Sequence, residues 1–218
     1  VGQQIGERWG FVTQGIFQSD QEVLDAPSQA DLGANWRPGD IRYADLNGDG
    51  VISYGNNTLD DPGDQTIIAV EIPRYQFGVN SNFGYKAFSL NVFFQGLMSH
   101  EYWPPNGNWN AFYPYNAGHV EKYYLTETWS EDNRDAYFAA PHISTNTKQN
   151  ILPQSRYVQQ GGYVRLKNVT FSYSLPTSLS SRVGLSNVQM YLAGMNIFEI
   201  TKMHKPLDPE VRPTVTQE

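Results

Sequence analysis

The chain has 218 residues, a formal net charge of -7, no cysteine and 14 tyrosines. The acidic balance, with no Lys/Arg run, excludes the clustered cations that nucleic acid demands, and the lack of Cys excludes a disulfide framework or a thiolate metal site. No apolar run approaches the roughly 18 residues of a membrane helix, while a mean hydropathy of -0.51 leaves room for a membrane β-barrel, whose strands bury only alternate residues in lipid.

Gly6 to Phe17 reads as a strand, and Gln18 to Ile72, polar and rich in Asp, Gly and Asn, as a long loop with local structure. Pro73 to Tyr85 is a strand whose alternation puts Tyr75, Phe77, Val79, Phe83 and Tyr85 on one face and Gln76, Gly78, Asn80 and Asn82 on the other. Lys86-Ala87 is a tight turn. Phe88 to Gly96 is a second strand, with Phe88, Leu90, Val92 and Phe94 on its apolar side and Ser89, Asn91 and Gln95 on its polar side. Leu97 to Gly162 is a second long stretch, dense in Trp, Tyr, Pro and Asn, with a short helix expected within Val120 to Trp129. Tyr163 to Leu175 is a strand on which Arg165 and Lys167 share a face with Val169, Phe171, Tyr173 and Leu175, the cations at one end. Pro176 to Asn187 is a short connection, Val188 to Ile200 a last strand apolar on both faces, and Thr201 onward a loop.

Strands with one apolar and one polar wall suit a half-buried sheet in a soluble protein or an outer-membrane barrel. The connections alternate long and short, and irregular loops of about 55 and 65 residues are rare in compact soluble domains. They match a barrel with long extracellular loops (18–72, 97–162 and 201–218) and short periplasmic turns (86–87 and 176–187). Cations at the extracellular rim would meet lipid phosphates. No signal peptide opens at Val1, so export requires an N-terminus that is processed or lies upstream.

Three clusters are candidates for binding or chemistry. Asp45, Asn47 and Asp49, followed by Gly50 and the carbonyl of Val51, match the front half of an EF-hand-like Ca2+ loop, with oxygen ligands at alternate positions. The twelfth position is Asn56 where Glu is usual, and Asp60, Asp61 or Asp64 are candidates to replace it. The same residues also suit an Asx-rich turn without metal. Trp103, Trp109, Phe112 and Tyr113 offer flat rings that could stack on sugars, seat a partner protein or pack on one another. His100, His119, His142 and His204 show no ligand spacing, and Glu127, Glu131 and Asp132 read as a solvated face rather than a glycosidase pair. With no nucleophile elbow, P-loop or dinucleotide fingerprint, the chain does not read as an enzyme.

A run of motifs in order then stands out: PGDIRYADLNGDGVI at 38–52, DQTII at 64–68, IPRYQFG at 72–78, FFQG at 93–96, YVRLKNVT at 163–170 and GMNIF at 194–198. This series resembles the SusC/RagA family of TonB-dependent nutrient transporters of the Bacteroidetes outer membrane. The resemblance covers nearly the whole chain. It implies an all-β antiparallel transmembrane barrel segment, about five strands of a roughly 22-stranded barrel, with residues 1–218 as the C-terminal portion and the plug domain and final strand outside it. It also implies import of an oligosaccharide or peptide, driven through TonB and shared with a SusD-like surface lipoprotein, in contact with outer-membrane lipid. A secreted, calcium-stabilised β-sandwich that binds glycan is the alternative; it explains the rings and the Asp-rich loop but not the alternating connection lengths.

Overall fold

A computed structural model describes residues 4–104, 122–142, 149–205 and 207–210. In chain order its elements are β1 (Glu7–Phe11), β2 (Thr13–Ile16), α1 (Asp20–Asp25), β3 (Ile41–Tyr43), β4 (Gln65–Val70), β5 (Tyr75–Tyr85), β6 (Phe88–Met98), β7 (Glu101–Tyr102), α2 (Tyr124–Glu127), β8 (Gln159–Gln160), β9 (Tyr163–Ser174), α3 (Thr177–Ser180) and β10 (Gln189–Thr201). They fall into two units. One comprises residues 1–72, 101–159 and 205–218, the other 73–100 and 160–204.

The second unit is built on one antiparallel sheet in the order β10-β9-β6-β5. β5 and β6 are joined by the two-residue turn Lys86-Ala87, with Tyr85 opposite Phe88 and full register to Tyr75 opposite Met98. Lys86 turns the chain at a φ of 53°, and the Ala87 carbonyl accepts the Ser174 N–H at 2.8 Å. The four strands run 11 to 13 residues, enough to cross a bilayer at a tilt. The expected strands at 73–85, 88–96, 163–175 and 188–200 are therefore present, with bounds shifted by a residue or two.

Close approach explains one glycine in this sheet. A Cβ on Gly96 would lie 2.5 Å from the Phe77 ring and 2.5 Å from the Tyr163 carbonyl oxygen. The ring can rotate away, whereas the carbonyl belongs to the neighbouring strand. Gly96→Ala is expected to destabilise the sheet by about 1–3 kcal/mol through overpacking, read as a lower urea midpoint of the protein carrying it.

The first unit departs from the sequence expectation. The strand expected over 6–17 is broken at Val12: β1 pairs with β4 and β2 pairs with β3. Phe11 and Ile16 show why. Both are buried, yet five residues separate them, and an unbroken ribbon would send side chains at an odd spacing to opposite faces. The long loop expected over 18–72 likewise contains α1, β3 and β4. Ser19 Oγ caps α1 by accepting the Glu22 N–H at 3.2 Å, while Glu22 Oε2 accepts the Gln18 N–H at 2.8 Å. The first bond satisfies one orphan donor of a helix only six residues long, and the second fixes the chain that enters it.

Phe11, Ile16, Ile41, Tyr43, Ile52, Trp103, Tyr124, Phe138, Ala139 and Tyr157 form the apolar cluster of this unit. Buried amides hold the short strand β3 against it. Gln29 Oε1 accepts the Tyr43 N–H at 2.7 Å, Asn150 Oδ1 accepts the Ile41 N–H at 2.9 Å, and Tyr43 donates its hydroxyl proton to the Gln149 carbonyl at 2.6 Å. These bonds satisfy a strand too short to be stable by pairing alone. Burial raises the Tyr157 hydroxyl above the usual tyrosine range, and that oxygen accepts the Ala139 N–H at 3.0 Å.

Candidate functional site

Register gives the sheet of the second unit two unlike faces. Residues directly opposite on neighbouring strands project to the same side, so the rows can be read across all four strands. One side carries Tyr85–Phe88–Tyr173–Met190, then Phe83–Leu90–Phe171–Leu192, Ser81–Val92–Val169–Gly194, Val79–Phe94–Leu166–Phe198 and Phe77–Gly96–Val164–Ile200. Ring contacts tie the rows together. Phe88 stacks on Phe171 with centroids 5.7 Å apart and lies 4.7 Å from Tyr173, and Phe94 meets Phe198 edge-on at 6.3 Å.

This side stays open. Phe83 is 62% exposed, Leu192 77% and Ile200 66%. Among the described residues of this unit the elements packed most extensively on the sheet strands are their own neighbours in the sheet. An exposed face of this size is costly in water and marks an interaction surface. From Tyr85 to Tyr75 it runs about 34 Å at about 3.4 Å per residue, or about 24 Å in height at a tilt of about 45°, close to the apolar band of about 25 Å on outer-membrane barrels. At the turn end Tyr85 and Tyr173 flank Phe88, and the Lys86 ammonium lies 5.2 Å from the Tyr85 ring centroid. Aromatics and a cation at the end of an apolar band match an interfacial girdle.

The other side is mainly polar and internally bonded. Its rows are Gly84–Ser89–Ser172–Tyr191, Asn82–Asn91–Thr170–Ala193, Asn80–Phe93–Asn168–Met195 and Gly78–Gln95–Arg165–Glu199. Asn91 Nδ2 donates to Asn80 Oδ1 at 3.1 Å and to Asn82 Oδ1 at 2.5 Å, and the Ser89 and Ser172 hydroxyls bond at 2.5 Å. Arg165 forms an ion pair with Glu199.

That ion pair corrects the expected face of Arg165. The ladder steps from Phe93–Asn168 to Phe94–Leu166, which makes Lys167 the extra residue of a β-bulge, and β10 carries a matching irregularity between Met195 and Phe198. An extra residue inverts the alternation beyond it. Arg165 therefore lies on the polar face with Gln95 and Glu199, while Val169, Phe171 and Tyr173 stay on the apolar one. The sequence carried a signal for this: Val164 and Leu166 are even-numbered, whereas Val169, Phe171 and Tyr173 are odd-numbered.

The Asp-rich loop of the first unit closes on its own backbone. Asp45 Oδ1 accepts the Gly48 N–H at 2.6 Å and Asp45 Oδ2 the Gly50 N–H at 2.9 Å. Asn47 Oδ1 accepts the Asp49 N–H at 2.9 Å, and Asp49 Oδ1 the Val51 N–H at 2.8 Å. Val51 bridges to Ser28, whose N–H reaches the Gly50 carbonyl. Asp64, fully buried, braces the loop from within by accepting the Leu46 N–H at 2.7 Å and the Ser53 N–H at 2.8 Å. Asn56 is bonded instead to Asp61. The described residues hold no group of three His, Asp or Glu arranged for a metal. The oxygens of Asp45, Asn47 and Asp49 thus accept backbone N–H groups as in an Asx-rich turn, and position twelve of the expected calcium loop is Asn56, which offers no carboxylate.

Trp103 is 4% exposed and belongs to the apolar cluster, so its ring is core rather than an open stacking platform. Trp109, Phe112 and Tyr113, like His119, lie outside the described residues. His142 is paired with the buried carboxylate of Asp40, which also accepts from Asn150 Nδ2 at 2.8 Å and from the Arg37 N–H at 3.0 Å. This polar knot, invisible as a motif, joins segments about 100 residues apart in sequence.

No protein-family model matches the chain. It is 30% identical to TonB-dependent receptor P3 of Formosa agariphila over 209 residues, which cover 96% of this chain and 19% of that protein. It is 27% identical to TonB-dependent receptor P26 of the same organism over 211 residues, covering 96% of the chain and 20% of that protein. The chain thus spans about a fifth of the length of these relatives. Among solved structures it is similar in fold to a chain of the RagAB peptide importer in its open-open state, with a TM-score of 0.57 and 18% identity, covering 93% of this chain and 19% of that one. A structure of the RagAB peptide transporter gives 0.58, 20% identity and shares of 93% and 20%. The resemblance drawn from the ordered motifs is borne out, and so is an antiparallel fold of the barrel-wall type.

Proposed function

We infer that this chain, a segment similar over nearly all its length to TonB-dependent receptors, forms part of the wall of an outer-membrane transporter. Its apolar face meets lipid and its Asn, Ser and Thr face lines a wet lumen. The observation that carries the reading is the pair of opposed ladders, one apolar and open, one polar and hydrogen-bonded, held in register over four strands of membrane-crossing length. A β-sandwich would instead cover the apolar ladder with a second sheet, whereas Phe83, Leu192 and Ile200 on it are exposed.

The whole receptor would import a nutrient, an oligosaccharide or a peptide, using energy delivered through TonB and a SusD-like lipoprotein at the extracellular face. The likeness to a peptide importer supports the peptide class. Movement of parts, rather than bond chemistry, would do the work. The test is uptake of labelled oligopeptides and oligosaccharides by cells carrying the full receptor, with and without TonB. Energy-dependent uptake of one class, lost without TonB, is expected. A full receptor that stays in solution without detergent would overturn the wall reading.

Calcium in the Asp-rich loop belongs to the same proposal as a structural ion. With two carboxylates and no bidentate twelfth ligand, affinity is expected in the weak class of about 10⁻⁴–10⁻³ M seen for extracellular modules. Melting of the full receptor should rise with millimolar Ca2+ and not with Mg2+, and Asp45→Ala should abolish the rise. Melting that ignores Ca2+ would show that the hydrogen-bonded turn stands alone.

A further inference from the structure

One cleft lies within the second unit, where β6, β9 and β10 end away from the Lys86 turn. It has a volume of about 390 Å³, and its lining includes Met98, Val164, Ile200 and Lys202. Register places Val164 and Ile200 in the row of Phe77 and Gly96, and Met98 opposite Tyr75 one row beyond. Met98, Val164 and Ile200 thus bring the last part of the apolar ladder into the floor of the cleft, beside Leu97, Tyr163 and Thr201, whose row belongs to the opposite face. Lys202 follows the end of β10 directly, is exposed, and makes no hydrogen bond or ion pair among the described residues. The acidic residue nearest it on β10, Glu199, is already neutralised by Arg165 on the opposite face.

An apolar floor that continues a lipid-facing surface, closed at its outer end by an unpaired cation, has the polarity of a membrane amphiphile. We propose that this cleft seats one phosphorylated lipid of the outer leaflet. Its first acyl carbons lie over Met98, Val164 and Ile200, and its phosphate lies at Lys202. Charge and position both select this occupant. A neutral nutrient gains nothing from the ammonium, and a free anion gains nothing from the floor. A basic side chain at the interface snorkels toward a headgroup at little cost. The inference rests on the wall reading and deepens it, by making one lipid a fixed component of the rim rather than part of the bulk bilayer.

The test uses the full-length receptor in mild detergent, with native mass spectrometry reading retained lipid. The probes are synthetic monophosphoryl lipid A, its dephosphorylated counterpart and inorganic phosphate. The wild type should retain the phosphorylated lipid over its dephosphorylated form, and excess inorganic phosphate should not displace it. Lys202→Glu, which removes a cation and adds an anion at the surface, should lower retention about ten-fold. Ile200→Trp, which fills the floor and leaves the charge, should lower it too, and it carries the test if the first variant fails to fold. Equal retention by wild type and a folded variant overturns the proposal, as does equal retention of the dephosphorylated lipid or displacement by phosphate. Those results leave the wall reading intact. A receptor that needs no detergent sinks the wall reading itself.

Discussion

Val92→Arg is expected to weaken the receptor in a bilayer by about 2–4 kcal/mol, the cost of a cation at the midplane on the lipid side of a barrel. Val92 stands in the row Ser81–Val92–Val169–Gly194, near the middle of the apolar ladder. From there an arginine cannot carry its charge to either interface without bending the membrane or the strand. The control is its neighbour. Asn91→Arg puts the same charge one residue away on the opposite, hydrogen-bonded face, where water and the side chains of Asn80, Asn82 and Thr170 surround it. That variant should lose no more than about 1 kcal/mol, the worth of the hydrogen bonds Asn91 now makes. Urea unfolding of the two variants in lipid vesicles reads the difference directly. Equal losses would mean that both faces see the same medium, and the lipid assignment would fall.

The second large effect is expected at Asp64. Its carboxylate is fully buried and accepts two backbone N–H groups, from Leu46 and Ser53, that lie on opposite sides of the Asp-rich loop. Asp64→Ala leaves both donors, which are only partly buried, without their charged acceptor, at about 1–3 kcal/mol for each bond less what water restores. The loop around Asp45 to Val51 would lose its inner brace, so the loss should exceed that of Asp45→Ala, whose oxygens serve exposed turn N–H groups. Asp64→Asn, which keeps one carbonyl oxygen, should fall between. Chemical denaturation of the three variants ranks them. An Asp64→Ala variant as stable as the wild type would show that the two strings of the loop hold together by packing alone.

How much of this was legible in the chain follows from how local each signal is. The β5–β6 hairpin was plain, because its two strands alternate without interruption and meet at a two-residue turn. The face of Arg165 was misread because period two was carried across Lys167, although the change from even to odd apolar positions gave the bulge away. The segment 18–72 read as loop because its elements are short and pair far away, β4 with β1 and β3 with β2. What holds them is a set of buried amides, Gln29, Gln149, Asn150 and Gln154, and no composition rule tells a buried glutamine from a surface one. Trp103 shows the same limit for rings: a Trp-Pro-Pro segment looks like an exposed platform, yet the indole is core. The Asp-rich loop was recognised as a turn with ligand spacing and Asp64 was named beside it as one of three candidate ligands, but its part as a brace for the Leu46 and Ser53 N–H groups was not legible, since it lies 19 residues from Asp45 and outside the repeating pattern.

The paired irregularities in β9 and β10 have a consequence for assembly. In a perfectly regular ribbon, sliding one strand by two residues preserves which side chains face which way, so nothing in the in–out pattern forbids the error. Here Lys167 sits beside Asn196, whose φ of 50° marks the complementary kink, and the two act as tooth and notch. Any slip of β10 past β9 would separate them, leaving two distortions where the correct alignment has one. An apolar surface that looks alike after a shift cannot report the error, so the alignment has to be encoded in the backbone, and this chain carries that code at a single level of the sheet.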